Sequence, residues 1–291
     1  MKINQIRPQD NEYLQILNRL ALKPERLYYY GEWPKERSLS VAIVGARRCT
    51  AYGREVAYNL AKALGERGVL VVSGLAYGVD SIAARGALDG GGQTIAILGT
   101  EIERIYPQAH VKLAGEIVEK GGVVASEYKL GDKLDRKLSF LARNRIISGL
   151  ADVVVVVEAA EKSGSLNTAS HAIEQGKELY AVPGDINRVM SQGCNRLIFK
   201  GANPLLSVEE FLMQILPKKR RTKKERAQQI SLFADTEEER KVLEKIAEGV
   251  IDGEEIMEEL DMPVQIYNQA ITMLEVKGAI YSLGMNRWSL T

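Results

Sequence analysis

Short, uniformly apolar runs recur along this chain, and each pair is separated by about enough residues for one helix. They are Val41-Ala42-Ile43-Val44, Val69-Leu70-Val71-Val72, Thr94 to Gly99, Gly122 to Ser126, Val153 to Val157 and Leu179 to Gly184. A run with no polar alternation has no wet face, so each reads as a strand buried on both sides. Between them lie segments with helical spacing. Val56, Ala57, Leu60, Ala61 and Leu64 mark one over residues 52–67, and Gly68 ends it. Further helices are expected over residues 80–88, 112–120, 168–175 and 207–214. Buried strands alternating with amphipathic helices make βαβ units and a mostly parallel sheet. Right-handed crossovers then place helices on both faces. The expected fold class is α/β: a Rossmann-like, doubly wound domain over residues 40–216.

The flanks differ. Residues 1–39 read as a short lead, with one helix over 13–20 and a strand or extended connector at Leu27-Tyr28-Tyr29-Tyr30-Gly31. Residues 217–234 read as a basic linker. Residues 235–291 carry three helical segments (236–248, 253–260 and 264–277), then a hairpin over 278–284 and 287–290. Three helices and a wing predict a small winged-helix domain. The net charge of +1 conceals a strong asymmetry. Residues 211–234 carry seven Lys/Arg against one Asp/Glu, whereas residues 235–291 carry five against thirteen. A local patch, not the total, decides whether a protein attracts phosphate.

Several classes fall away. No apolar run approaches membrane-spanning length, and the start lacks a signal-peptide core, so a cytoplasmic protein is expected. Cys49 and Cys194 have no metal-ligand spacing, and His110 and His171 are the only histidines. No metal site and no cofactor are expected.

In open α/β sheets, ligands sit beyond the carboxyl ends of the strands. Gly45-Ala46-Arg47-Arg48, Ser73-Gly74-Leu75-Ala76-Tyr77-Gly78, Gly99-Thr100 and the segment Glu158 to Ser165 all arrive there. Small residues let backbone N–H groups approach an anion, and the helix that follows adds its positive end. Arg47 adds a fixed fork for phosphate oxygens. The segment Phe140 to Leu150 flanks Asn144 with Arg143 and Arg145. Read as extended chain, it points one arginine at ligand and leaves the other for a carboxylate such as Glu158. Phe140 is a candidate base-stacking ring. Each feature also has a plain structural reading: glycines after strands serve turns, Phe140 fits a core, and Lys133, Arg136 and Lys137 fit a solvated face. The combination favours an anion site, with the backbone of single-stranded DNA as the anion.

Taken together, these segments resemble the DNA-processing protein A family (DprA, also called Smf). The resemblance is carried by Gly45-Ala46-Arg47, Tyr52-Gly53, Ser73 to Asp80, Phe140 to Leu150, Ser163-Gly164-Ser165-Leu166-Asn167-Thr168-Ala169, Val182-Pro183-Gly184, Gly193-Cys194-Asn195 and Gly201-Ala202. It spans about residues 25–210 in order, and the tail resembles the winged-helix appendix of some members. The resemblance implies a non-enzymatic mediator that binds single-stranded DNA, acts as a homodimer and hands the strand to the RecA recombinase in natural transformation. It assigns DNA contacts to Arg47, Ser73, Gly74, Lys137, Phe140, Arg143, Asn144, Ser163, Gly164 and Ser165. Gly45, Arg145 and Thr168 complete the expected phosphate-binding set.

The chain also departs from the family pattern. Tyr77 replaces an arginine, Ala46 a serine and Leu141 a proline; Ala84 stands where histidine is common, and His110 where asparagine is. Residues 1–39 are shorter than the N-terminal helical domain of many members. A tail as acidic as residues 235–261 predicts either a protein-binding domain, a cover for the basic groove, or a merely solvated face. The alternative function is a phosphoribohydrolase-like enzyme of related architecture. Its glutamate position is held here by His171, which argues against it. A dinucleotide-dependent oxidoreductase lacks its Gly-x-Gly-x-x-Gly turn here.

Overall fold

The structure is a computed structural model that describes residues 2–216 and 233–290. The expected linker, residues 217–234, lies almost wholly outside the described residues. The chain divides into two compact units, residues 1–216 and 217–291.

The first unit is built on one nine-stranded sheet. In chain order its strands are β1 (Asn4–Ile6), β2 (Leu27–Gly31), β3 (Ser40–Val44), β4 (Leu70–Ser73), β5 (Thr94–Leu98), β6 (Val123–Ser126), β7 (Val153–Val156), β8 (Glu178–Ala181) and β9 (Asn203–Pro204). Their spatial order is β1-β2-β6-β5-β4-β3-β7-β8-β9. The run from β6 to β9 is parallel, while β1 and β2 are antiparallel. Every residue of β3, β4, β5, β6 and β7 is buried, as expected for strands covered on both faces.

The lead is more than a connector. Its two strands extend the sheet, with Tyr28 to Gly31 paired against Val123 to Ser126. The helix expected over residues 13–20 is a 3-10 helix, Tyr13–Arg19, and it seats Tyr13, Leu14 and Leu17 in the core.

Among the described residues, seven α-helices cover the sheet: α1 (Ala51–Glu66), α2 (Val79–Asp89), α3 (Val111–Glu119), α4 (Arg136–Leu150), α5 (Ser165–Glu174), α6 (Val189–Phe199) and α7 (Val208–Ile215). Ala42 and Val44 of β3 face a core shared with Ile146, Ile147, Leu150, Ala169, Ala172 and Cys194 of α4, α5 and α6. Val41 and Ile43 face the other way, toward Leu60, Leu64, Ala83 and Phe211 of α1, α2 and α7. This is the period-two alternation of a strand feeding two cores.

The largest departure from the sequence reading is α4. The segment Phe140 to Leu150 is helical, not extended, and Asp135 caps it by accepting from the N–H groups of Lys137 and Leu138. Helix α6 is likewise absent from the sequence expectations.

The described residues of the second unit form three helices, α8 (Glu237–Glu248), α9 (Gly253–Leu260) and α10 (Val264–Val276), then a hairpin of β10 (Ile280–Gly284) and β11 (Arg287–Leu290). Thr236 and Asp252 cap α8 and α9. Val242, Ile246, Ile256, Tyr267, Ile271, Leu274 and Ile280 give it a core of its own.

Candidate functional site

Strand order reverses at β3. Its crossover through α1 leads to β4 on one side, whereas β7, its other neighbour, leads through α5 to β8. The two crossovers run on opposite faces, so a crevice opens beyond the carboxyl ends of β3 and β7. A cleft of about 390 Å³ occupies it.

The loop after β3 is held rigidly. The Ala46 N–H donates to the Glu158 carbonyl at 2.7 Å. The Glu158 carboxylate, buried at the end of β7, accepts from the Thr50 N–H at 2.8 Å and the Thr50 hydroxyl at 2.6 Å. Thr50 in turn caps α1 through the Gly53 N–H. Gly78 (φ 78°) closes the far side, where a Cβ would be driven into the Ala46 carbonyl. On this frame Arg47 and Arg48 are exposed, and neither pairs with a carboxylate among the described residues.

The opposite wall is the start of α5. Gly164 occupies its N-cap without a side-chain cap, and a Cβ there would meet nothing. The Ser163 hydroxyl lies 2.8 Å from that of Ser165 and accepts the Ser165 N–H at 3.3 Å. The helix's positive end therefore faces the cleft across small residues. Thr168, one turn on, lines it too.

Helix α4 forms the floor. Asn144 donates to the Gly164 carbonyl at 3.3 Å and to Asn167 Oδ1 at 3.2 Å, tying α4 to the start of α5. Arg143 lies beside it but is 5 % exposed. Its Nη1 donates to the carbonyls of Gly74, at 2.8 Å, and Ile97, and its Nε to Asn144 Oδ1. Burial pushes its pKa down to about 10; the charge of Asp80 opposes that shift and Arg47 adds to it. Asp80, which accepts the Gly74 N–H at 3.1 Å, is pushed up by the same burial, against the pull of Arg143. Each charge is disfavoured by its surroundings and held by the other, and Arg143 stays protonated at neutral pH.

Phe140, half-buried, stands at the rim. Arg47 lies over its ring at 5.3 Å from the centroid, and Tyr106 meets it edge-on at 5.7 Å. A second cleft, of about 880 Å³, continues past this ring. Arg47, Phe140, Leu141 and Gly164 line both. Arg136, Lys137 and Lys162 are exposed on the second cleft and pair with no carboxylate among the described residues. Arg104 is there too, 3.6 Å from Glu101.

The expected site residues thus separate into groups. Gly45, Arg47, Phe140, Arg143, Asn144, Ser163, Gly164, Ser165 and Thr168 line the first cleft, and Lys137 the second. Ser73 does not reach either, because it is buried with its hydroxyl donating to the Ile43 carbonyl at 2.7 Å. Gly74 is there for packing: a Cβ would collide with the Arg143 guanidinium. Arg145 points away from the cleft, because a helical segment turns successive side chains apart. Its Nη2 bonds both oxygens of Glu127, at 2.7 and 2.9 Å, and its Nε donates to the Leu22 carbonyl, pinning the lead. The carboxylate partner expected for one arginine is therefore Glu127, since Glu158 is occupied by Thr50. Arg104 and Tyr106 join the site without a signal in the sequence, where neither belongs to a glycine-rich turn. Asp80 is the one carboxylate on the first cleft among the described residues, and it is buried behind Arg143. His171 sits outside it, 3.3 Å from Glu174. Among the described residues no cluster of His, Cys, Asp or Glu fits a metal ion, and no helix is long and apolar enough to cross a membrane.

The geometry agrees with relatedness. The family model described as DNA recombination-mediator protein A matches residues 4–216. Protein Smf of Escherichia coli (strain K12) is 42% identical over 189 residues, 65% of this chain and 50% of that protein, so the chain spans about half of this relative's length. DNA processing protein DprA of Streptococcus pneumoniae is 38% identical over 205 residues, 70% of this chain and 72% of that one. Its X-ray structure superposes with a TM-score of 0.66 at 35% identity, covering 75% of this chain and 76% of that one. DNA processing protein A from Helicobacter pylori, described with its single-stranded DNA binding mode, gives a TM-score of 0.64 at 34% identity over 74% of this chain and 95% of that one. With the family model covering most of its length, this chain belongs to the DNA recombination-mediator protein A family.

Proposed function

We propose that this chain binds single-stranded DNA along its two joined clefts and acts in DNA processing during transformation as a mediator, not a catalyst. The observation that carries this reading is the shared rim. Arg47, Phe140 and Gly164 belong to both clefts, so one strand can cross from the α5 start past Arg47, Lys162 and Arg136 to Lys137, although Glu101 and Glu103 also line the second cleft. Phosphates meet Arg47, Arg48, Lys162 and Lys137, while Phe140 offers a face to a base. The Helicobacter pylori relative, described with its single-stranded DNA binding mode, supports the choice of ligand. Delivery of the strand to RecA, a homodimeric state and a cytoplasmic setting follow from the family resemblance and are part of the same proposal.

The proposed winged-helix domain of residues 235–291 binds protein in this scheme. Helix α10, the element that such a domain would lay on DNA, carries no Lys or Arg from Val264 to Val276. Arg240, Lys245 and Lys277 are all paired with carboxylates.

The deciding experiment is a salt titration of binding to labelled oligo-dT. With about four phosphates engaged, log K falls with log salt at a slope of roughly −3. Salt-insensitive binding, or a preference for duplex, overturns the proposal.

A further inference from the structure

Tyr77 is 47 % exposed on the loop between β4 and α2. It follows Ala76, which lines the first cleft. Its ring meets the imidazole of His110 edge-on, with centroids 5.0 Å apart and planes at 67°. His110 is fixed in turn, because its Nδ1 donates to the Leu75 carbonyl at 2.8 Å. Leu75 holds a left-handed backbone (φ 56°), which non-glycine residues seldom adopt. Gln108 and Val111, on either side of His110 in sequence, line the second cleft. Tyr77 lines neither cleft itself, but its chain neighbour Ala76 lines the first, and the residues flanking its ring partner His110 line the second.

The phenol brings no positive charge to a phosphate, and its hydroxyl makes no hydrogen bond to any described residue. The ring is nevertheless braced by its neighbour, so it has little freedom to lose when a ligand covers it. Any of the four bases presents a π-face to such a ring. We propose that Tyr77, braced by His110, is a nucleobase-stacking subsite that takes one unpaired base beyond the one at Phe140. The inference rests on the single-stranded DNA reading, and it adds a contact that carries no charge.

The test is anisotropy titration of the full-length protein with labelled oligo-dT over a range of salt. A strand of equal length with abasic sites serves as the second ligand. Tyr77→Ala is expected to weaken oligo-dT binding about fivefold or more while leaving the salt slope unchanged. Tyr77→Phe retains wild-type affinity, and on the abasic strand Tyr77→Ala binds like the wild type. Two outcomes overturn the subsite: Tyr77→Ala matching the wild type on oligo-dT, or losing as much on the abasic strand. Arg47→Ala separates the two levels. If it weakens binding while Tyr77→Ala does not, only the subsite falls. If the wild type itself binds no oligo-dT, the DNA reading falls with it.

Discussion

The Arg47 guanidinium lies 5.3 Å from the centroid of the Phe140 ring, and that ring also has Arg143 at 6.0 Å. One aromatic side chain thus touches two arginines with opposite circumstances. Arg47 is exposed and unpaired among the described residues. Arg143 is buried, with its donors spent on carbonyls and on Asn144. The first is available to a ligand, and the second holds together the wall on which the first works.

Arg47→Ala should therefore weaken binding without touching the fold. Loss of one phosphate contact reduces the salt slope by about 0.7 for a single strand. Thermal unfolding should stay where it is in the wild type, because an exposed, unpaired arginine contributes little to stability. An unchanged slope would show that Arg47 contacts no phosphate.

Arg143→Ala should do the reverse. It strands the Gly74 and Ile97 carbonyls and leaves Asp80 buried without its counter-charge. The expected cost is about 3 kcal/mol or more, read by urea unfolding. Any loss of DNA binding then tracks the loss of fold, and a stable Arg143→Ala protein that binds poorly would make Arg143 a direct contact instead. Gly74→Ala probes the same joint from the other side. Its methyl displaces the guanidinium, and about 1–3 kcal/mol of destabilisation is expected.

The strands were legible because complete burial leaves an unmistakable apolar run. Helix α4 was not, for the same physical reason turned around. Its buried residues include Ser139, Arg143, Asn144, Arg145 and Ser148, and everything from Arg143 to Leu150 is buried. A helical stretch enclosed on all sides, as α4 is from Arg143 onward, shows no apolar stripe at helical spacing. Only its cap, Asp135, was visible in principle. The lining of the first cleft was legible where backbone shape decides, at Gly45 and at Ser163 to Ser165. It was not where the partner decides: nothing in the sequence shows that Ser73 reaches the Ile43 carbonyl, or that Arg145 reaches Glu127. Helix α6 hid for a third reason. Its central Gly193 packs against Ala159, and glycine there reads as a turn.

Removing residues 235–291 should leave affinity for oligo-dT within about twofold of the full chain, since an acidic surface adds nothing to phosphate binding. Anisotropy on the two proteins side by side checks it. A sharp drop would assign the tail to DNA.

The second unit should show its own pH window, set by Lys277. Its ammonium lies 2.8 Å from Asp235 and 2.6 Å from Glu239. Burial pulls the Glu239 pKa upward, but the hydrogen bond from Lys277 and the N–H groups of Asp235 and Thr236 outweigh it, so the net shift is below the ordinary 4.5. A depressed carboxyl contributes stability that is present above 4.5 and is lost as pH falls through the lower folded value. Lys277 is raised above 10.5 by its hydrogen bonds to Asp235 and Glu239. Its contribution is complete below 10.5 and is lost as pH rises through the higher folded value. Amide protection in α8, followed by hydrogen exchange and corrected for intrinsic rates, should hold steady between those limits and fall outside them. Glu239→Gln should flatten the acid side while leaving the alkaline side supported by Asp235. An acid limb unchanged in Glu239→Gln would place the sensitive carboxyl elsewhere in the unit.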